Sequence, residues 1–448
     1  MKFIVPGQGV FLFKKSKEII PMFSFTKNQI NQDEKQIKLY LYDSTKKNNL
    51  CITLTTKSIS LTKNNTEQKK DPNNKSGLVN QKGAYYWVSL DSQNQQIYIG
   101  VGEPRLETSI FQYKFSHDEK TFLESLIKIK AYNSTNNIFK TSNSQATDTH
   151  SHIFKQIKDP ITQKIPLKIK NTDELTMADI STQRYMPKSN LSLTSQKLYD
   201  CISGKKFQLD ESDFTNFSNA IEHSIKTPGL WCHETLKKKS TEFDPKNPNP
   251  KETYLRITLG QNNGESPGIP YVMEIWPPGH FSPIHSHANA SAVIRVLHGE
   301  INVKLFPFLC HVKKQSIEPS IEPLIDPFAI ANFKKDDITW ISPTLNQTHQ
   351  LSNINPNTTC VTIQCYMYED TNNKHYDFFD YLDSNNEKKQ YEPDSDMEYI
   401  DFKELMKQEW SNRLAQLMEP REPVDKYILH DTSVNITLMN TSTKIPFK

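Results

Sequence analysis

The chain has few cysteines, little net charge and no long apolar run. Its six cysteines among 448 residues form no CxxC pair and have no regular spacing. That pattern predicts reduced thiols and argues against a disulfide framework or a cysteine-based zinc site. The net charge of +3 is small and the basic clusters are short, so we expect no nucleic-acid partner. No apolar run approaches the roughly 18 residues of a membrane span, so we expect no membrane partner either.

The first residues do not have the pattern of a secretion signal. Residues 1–21 start with one early lysine, and Pro6-Gly7-Gln8-Gly9 interrupts their apolar stretches. Together with the scattered cysteines, this predicts a cytoplasmic location.

A chain of 448 residues exceeds the usual size of one domain, so we expect more than one. Composition and periodicity divide it into four parts. Residues 1–133 alternate apolar and polar side chains, which predicts an all-β domain. Residues 134–195 are rich in Ser, Thr, Asn and Gln, which predicts a polar linker with room for short strands near 153–169. Residues 196–385 begin with helices and continue with alternating strands. Residues 386–448 are predicted to form a tail with one amphipathic helix.

Within the first part, Gly83–Leu90 and Gln96–Gly100 alternate about a polar turn and predict a β-hairpin. The stretch that follows, Gly102-Glu103-Pro104-Arg105, resembles the small β-sandwich domain named after farnesoic acid methyltransferase. The resemblance implies a β-sandwich-like domain with a binding role towards a ligand or a protein.

His285-Ser286-His287 and His349, 62 residues further on, are the candidate metal ligands. Alternation from Tyr271 to Phe306 predicts strands, and residues i and i+2 of a strand point to the same face. His285 and His287 therefore share a face, and His349 has to come from a second strand that lies beside the first. Three imidazoles on one octahedral ion leave positions open for a substrate and dioxygen together.

No carboxylate accompanies these histidines, since residues 288–293 contain neither Asp nor Glu. The site is therefore predicted to have three histidine ligands rather than two histidines and a carboxylate. Imidazole suits Fe, Ni, Cu and Zn, so the ligand type alone does not select the metal. Neutral ligands leave the ion its full positive charge, which favours an anionic substrate such as a thiolate.

The spacing of Gly279, the histidines and Gly299 resembles the motifs of cupins, which are small antiparallel β-barrels that hold a metal near the axis. The longer match of Trp276–His287 and Leu297-His298-Gly299, over about 198–383, resembles the cysteine dioxygenase family of thiol dioxygenases. The fold expected for the whole chain is therefore mainly β. It consists of an N-terminal β-sandwich-like domain and a C-terminal cupin β-barrel, or jelly roll, with a few flanking helices.

The resemblance to cysteine dioxygenases implies roles for eight residues. The implied ligands of an iron(II) cofactor are His285, His287 and His349. The implied substrate-binding residues are Tyr254 and Arg256, which match a Tyr-x-Arg motif and of which the arginine would pair with a substrate carboxylate. The implied catalytic residues are Thr362, Gln364 and Tyr366, which fall where the family has Ser, His and Tyr.

Two positions depart from the family pattern. Ala292 occupies the position of the cysteine that animal members crosslink to the tyrosine matched by Tyr366, so we expect no thioether. Gln364 replaces a histidine, and an amide exchanges hydrogen bonds but does not titrate near neutral pH. Both changes leave the identity of the thiol open.

The sequence therefore predicts an iron-dependent dioxygenase that uses O2 to oxidise a small thiol, with L-cysteine as the expected substrate and its sulfinate as the product. Two alternatives stay open. In the first, the enzyme oxidises a different thiol, such as 3-mercaptopropionate, which lacks the amine. In the second, the module is a non-catalytic metal-binding cupin in an interaction protein.

Overall fold

The protein is mainly β, as predicted, in the part of the chain that the computed structural model describes. The described residues are 1–14, 36–55, 58–71, 85–134, 153–260, 271–309, 326–368, 378–385 and 387–418. The first strands form a β-sandwich: β1 (Gln8–Lys14), β2 (Gln36–Tyr42), β3 (Asn49–Thr55), β4 (Ile59–Lys63), β5 (Thr66–Asp71), β6 (Tyr85–Asp91), β7 (Gln96–Val101), β8 (Ser109–Lys114), β9 (Lys128–Ser134) and β10 (Ile153–Ile157).

The sandwich consists of two five-stranded antiparallel sheets, ordered β10-β1-β6-β7-β8 and β5-β4-β3-β2-β9. Alternate side chains of both sheets point inward, as the period of a strand requires, and form one core. Ile37, Leu39 and Leu41 of β2 are fully buried in it. The predicted hairpin is present as β6 and β7, apart from residues 83–84, which lie outside the described residues.

The remaining strands form a jelly-roll barrel with flanking pieces: β11 (Lys168–Lys170), β12 (Tyr185–Pro187), β13 (Leu255–Gly260), β14 (Tyr271–Trp276), β15 (His285–Ser286), β16 (Ser291–His298), β17 (Glu300–Phe306), β18 (Ala329–Lys334), β19 (Ile338–Ile341), β20 (Thr348–Ser352), β21 (Cys360–Met367), β22 (Phe379–Leu382), β23 (Lys388–Tyr391) and β24 (Met397–Glu398). They form an eight-stranded sheet, β12-β11-β19-β16-β21-β14-β13-β24, and a six-stranded sheet, β18-β17-β20-β15-β22-β23.

The inner strand β21 of the eight-stranded sheet is buried on both faces. On β21 every residue is buried, so side chains of either parity are inside the protein. Val361, Ile363 and Cys365 pack in a core that includes the helices, whereas Gln364 and Tyr366 line the interior of the barrel. This strand therefore carries both a packing face and a functional face.

The helices of the described chain are α1 (Lys120–Ser125), α2 (Met177–Ser181), α3 (Leu193–Ile202), α4 (Phe217–Lys226), α5 (Trp231–Lys239) and α6 (Tyr399–Met418). The amphipathic helix expected in the tail is α6, and its Phe402 and Met406 are fully buried in the core on the outer face of the barrel. Residues 419–448 lie outside the described residues. A search of the described helices for one with the length and hydropathy of a membrane span found none.

Two short strands lie in the segment expected to be a polar linker, where the sequence left room for them. Strand β10 pairs with β1 at the edge of the sandwich, while β11 pairs with β19 at the edge of the barrel sheet. Edge pairing uses backbone N–H and C=O groups, so a polar segment can extend a sheet without contributing many core side chains. The short strands expected near 153–169 are therefore present as β10 and β11. The assignment of 134–195 as a linker stays a prediction, and residues 135–152 lie outside the described residues.

Candidate metal centre

Two neighbouring strands bring the three histidines together. Strand β15 pairs antiparallel with β20, and His285 lies directly opposite His349 in that ladder. His287 follows β15 immediately, and Ala288 and Asn289 then turn the chain with φ values of 49° and 66°. The second strand that the sequence required for His349 is therefore β20.

The imidazole nitrogens converge on one point. One ring nitrogen from each of His285, His287 and His349 lies within 4.8 Å of the others, and no carboxylate or thiol of the described chain joins this group. The Nε2 atoms of His287 and His349 are 3.1 Å apart. Two nitrogens at about 2.1 Å from one ion and at a right angle to each other would be separated by about 3 Å. The three side chains thus fit a single transition-metal ion.

Backbone carbonyls orient two of the three rings. The Nδ1 of His285 lies 3.0 Å from the carbonyl oxygen of Pro283, and the Nδ1 of His349 lies 3.0 Å from that of Asn346. A ring that donates its Nδ1–H to a carbonyl keeps its Nε2 lone pair free for a metal. Among the described residues, Nδ1 of His287 has no such partner, and its ring packs against Phe379 at 4.5 Å between centroids.

Burial keeps the imidazoles neutral. It lowers the pKa of His285 to about 4 and, together with the nearby His285, lowers that of His349 to about 3. Burial, reinforced by the two neighbouring histidines, also holds the pKa of His287 well below its usual range. Neutral imidazoles carry the lone pairs that a metal requires, so the group is ready to bind an ion at neutral pH.

The metal-free protein is expected to lose stability on acidification from pH 7 to pH 5. A histidine whose folded-state pKa lies below its unfolded value of about 6.5 binds protons less readily in the folded state. The contribution of each neutral histidine to the free energy of unfolding is therefore complete above pH 6.5 and is lost as the pH falls towards the folded-state pKa. At pH 5 the loss is about 2 kcal/mol for each of His285 and His349. Urea titrations at the two pH values test this, and a His285→Gln variant should show a smaller loss between them.

Four of the five residues predicted for substrate binding and catalysis, all except Tyr254, belong to one hydrogen-bonded network inside the barrel. The guanidinium of Arg256 donates from Nη1 to Oε1 of Glu274 at 3.2 Å, and the amide of Gln364 donates to Oε2 of the same carboxylate. The hydroxyl of Tyr366 donates to Oε1 of Gln364. Gln364 Nε2 also lies 3.3 Å from Oγ1 of Thr362. Strand register places them together, since Arg256 pairs with Glu274 and Glu274 with Thr362.

Glu274 is the residue that sequence reasoning missed. It is 5% exposed, and burial raises the pKa of its carboxyl while the adjacent Arg256 opposes that rise. We expected Arg256 to offer its charge to a substrate carboxylate, but a carboxylate of the chain already neutralises it. The sequence did contain a sign that Glu274 has a partner: it is the only acidic residue in the apolar strand Tyr271–Trp276, where an unpaired buried charge would be costly.

The aromatic residues of the site pack on both sides of the network. The ring of Tyr366 stacks on that of His287 with centroids 5.6 Å apart, while its hydroxyl donates to Gln364. Tyr366 therefore contacts both the histidine cluster and the hydrogen-bonded network. Tyr254 stacks on Trp276 at 4.3 Å and lines the same interior. Ala292 lies directly opposite Tyr366 in the β16–β21 ladder, where it offers no sulfur to the phenol. The absence of a thioether stays a prediction, because Cys310 lies outside the described residues.

The histidines and the network share one small cavity of about 60 Å³. A water molecule needs about 10–15 Å³ on this scale, so the cavity holds only a few small groups. Its wall is mostly apolar and includes Leu167, Val296, Ile301, Val303, Phe333 and Leu351. The geometry suits a ligand of few atoms that contacts the metal at one end and the Arg256–Glu274 pair at the other.

Comparison with known proteins gives only weak similarities. No protein-family model matches the chain. The cupin domain of Cnp3 from Schizosaccharomyces pombe is similar over 26% of this chain and 65% of its own length, at 13% identity and a TM-score of 0.19. Oxalate oxidase in complex with the substrate analogue glycolate is similar over 27% of this chain and 53% of its own length, at 18% identity and a TM-score of 0.20.

L-ribose isomerase from Cellulomonas parahominis, with L-psicose, is similar over 26% of this chain and 62% of its own length, at 14% identity and a TM-score of 0.20. At such TM-scores these similarities carry no argument about activity. The site is therefore characterised by its own geometry, as a candidate three-histidine metal centre inside a jelly-roll barrel.

Proposed function

We propose that the protein is a metal-dependent dioxygenase that oxidises a small thiol, with iron(II) as the metal and L-cysteine as the first candidate substrate. The observation that carries this proposal is the group of three converging imidazoles, which faces the Arg256–Tyr366 network across a small apolar cavity. In the proposed reaction, R–SH and O2 give R–SO2H. The S–H and O–O bonds break, both oxygen atoms join the sulfur, and the sulfur supplies the electrons that reduce O2.

A bound iron(II) ion would supply the redox chemistry that amino-acid side chains lack. The remaining tasks belong to the residues of the barrel. Neutral His285, His287 and His349 would hold the ion, and the apolar wall would exclude water from the reacting atoms. The hydroxyl of Tyr366, fixed by its hydrogen bond to Gln364, would orient the ligand beside His287.

Recognition of the far end of the substrate depends on Arg256. A guanidinium has five N–H donors, so the contact with Glu274 leaves others for a substrate carboxylate. Glu274 nevertheless cancels the charge of Arg256, which weakens its attraction for an anion. This ion pair favours a second candidate function, the oxidation of a small thiol without a carboxylate. A non-catalytic metal-binding role is the remaining alternative.

Oxygen uptake by the iron-loaded, full-length protein tests the proposal. L-cysteine, 3-mercaptopropionate and cysteamine form a suitable panel, because the second lacks the amine and the third lacks the carboxylate. We expect uptake with at least one thiol and a sulfinate product that carries two labelled atoms from 18O2. Preference for cysteamine would support the second candidate function. Bound iron without uptake for any of the three would favour the non-catalytic role.

A further inference from the structure

A carboxylate from the N-terminal β-sandwich reaches into the barrel and binds the turn that precedes His349. Glu103 accepts hydrogen bonds from the backbone N–H groups of Asn346 and Gln347, each at 2.8 Å and each on a different carboxylate oxygen. Its side chain is 1% exposed. A buried carboxylate that accepts two backbone N–H bonds fixes the position and direction of both peptide units.

Asn346 links this carboxylate to the metal ligand. Its carbonyl oxygen lies 3.0 Å from Nδ1 of His349, so the same residue donates to Glu103 and accepts from the imidazole. Asn346 also has a φ of 61°, in the left-handed region, and that conformation directs its N–H and C=O groups towards these two partners.

Arg105 holds the side chain of the same asparagine. Its Nη1 donates to Oδ1 of Asn346 at 2.5 Å, and its Nη2 donates to the carbonyl oxygen of Ile165 at 2.6 Å. Arg105 is 1% exposed and lies 3.8 Å from Glu103, so the two charges compensate each other inside the protein. Loss of Arg105 would leave the buried carboxylate of Glu103 without its cation, whereas loss of Glu103 would leave Arg105 with Glu107, 3.8 Å away, as its remaining carboxylate.

The backbone of the sandwich lies in close contact with the backbone of the barrel beside Glu103. Glu103 donates its own N–H to the carbonyl oxygen of Pro307 at 2.9 Å. At Gly102, whose φ is 78°, a Cβ atom would lie 2.1 Å from that oxygen, so only glycine fits. Phe308 enters the core of the sandwich. A backbone hydrogen bond, a close approach at Gly102 and the packing of Phe308 therefore join the two domains beside Glu103.

We propose that Glu103 and Arg105 are positioning residues for the metal centre, and that the β-sandwich orients the ligand His349 through Asn346. The inference rests on the proposed metal site but not on the identity of the substrate. Partners that orient a ligating histidine from outside the first coordination sphere typically change metal affinity about 10- to 100-fold. The N-terminal domain would then be part of the metal-binding machinery.

Binding of Co²⁺ to the full-length protein tests this proposal, because both the affinity and the visible absorption of Co²⁺ report on its ligands. In Glu103→Gln the amide oxygen can accept only one of the two N–H bonds, and the NH2 group opposes the other. We expect affinity to fall about 10- to 100-fold and the absorption bands to change. Glu103→Asp keeps the charge beside Arg105 but is shorter, so it should show a smaller change of the same kind.

Glu119→Gln is the matched control. Glu119 lies in the same domain, pairs with Lys63 at 2.5 Å and accepts hydrogen bonds from Ser116. This variant should bind Co²⁺ as the unmodified protein does, even if its unfolding temperature falls. Unchanged affinity and spectrum in folded Glu103→Gln would overturn the inference. If that variant does not fold, an unchanged spectrum in Glu103→Asp would overturn it. Failure of the unmodified protein to bind Co²⁺ or Fe²⁺ would instead overturn the proposed function.

Discussion

Replacement of His287 with alanine should abolish metal binding and oxygen uptake. His287 is 4% exposed, and its Nε2 lies 3.1 Å from that of His349, at the centre of the cluster. Two histidines would remain, and a divalent ion gains too little from two neutral ligands to compete with water. The loss of affinity should exceed the roughly 10- to 100-fold effect of an outer hydrogen-bond partner.

The iron content of the protein after anaerobic equilibration with iron measures the loss of binding. Oxygen uptake with the best thiol of the panel then measures the loss of activity. His117→Ala is the matched control, since His117 is exposed in the N-terminal domain and takes no part in the cluster. The control should retain its iron. Full retention of iron by folded His287→Ala would show that the three imidazoles do not form the site.

Replacement of Arg256 with methionine should destabilise the protein strongly. Arg256 and Glu274 are 9% and 5% exposed, so the change would leave a buried carboxylate without its cation. Removal of one member of a buried ion pair typically costs about 3–5 kcal/mol. Urea unfolding measures the loss. Lys188→Met, which removes the partner of the more exposed Asp200, should cost less than about 1 kcal/mol.

The double variant Arg256→Met with Glu274→Leu separates the cost of the unpaired charge from the value of the pair. We expect it to recover most of the lost stability, because two apolar residues of similar volume often replace a buried ion pair without net loss. A double variant that is less stable than Arg256→Met alone would show that the single variant does not leave Glu274 as a costly buried charge.

The same residues provide a test of substrate recognition. If Arg256 holds a substrate carboxylate, Arg256→Met should weaken the use of L-cysteine by roughly 2–4 kcal/mol and affect cysteamine much less. Glu274→Gln should have the opposite selectivity, since it frees the charge of Arg256 for an anion. Equal effects of Arg256→Met on both thiols would exclude direct contact between Arg256 and the carboxylate.

Features that depend on local pattern could be predicted from the order of the residues alone. Alternation of period two predicted a strand at His285, and it required a second strand for His349; His287 directly follows the first of them. The helical period of the tail marked α6, whose Phe402 and Met406 are buried. These features follow from the fixed geometry of strands and helices, in which spacing along the chain decides which side chains share a face.

The contacts between buried charges could not be predicted in this way, because they depend on how the sheets pack. Arg256 and Glu274 are 18 residues apart in the chain, and Glu103 and Asn346 are 243 apart, yet both pairs are buried contacts. Strand order and register create such contacts, and neither is encoded in the spacing of any one segment. A carboxylate in an apolar strand signals that a partner exists, because an unpaired buried charge is costly. Which residue satisfies it, and hence whether Arg256 is free for substrate, is decided by the packing of the sheets.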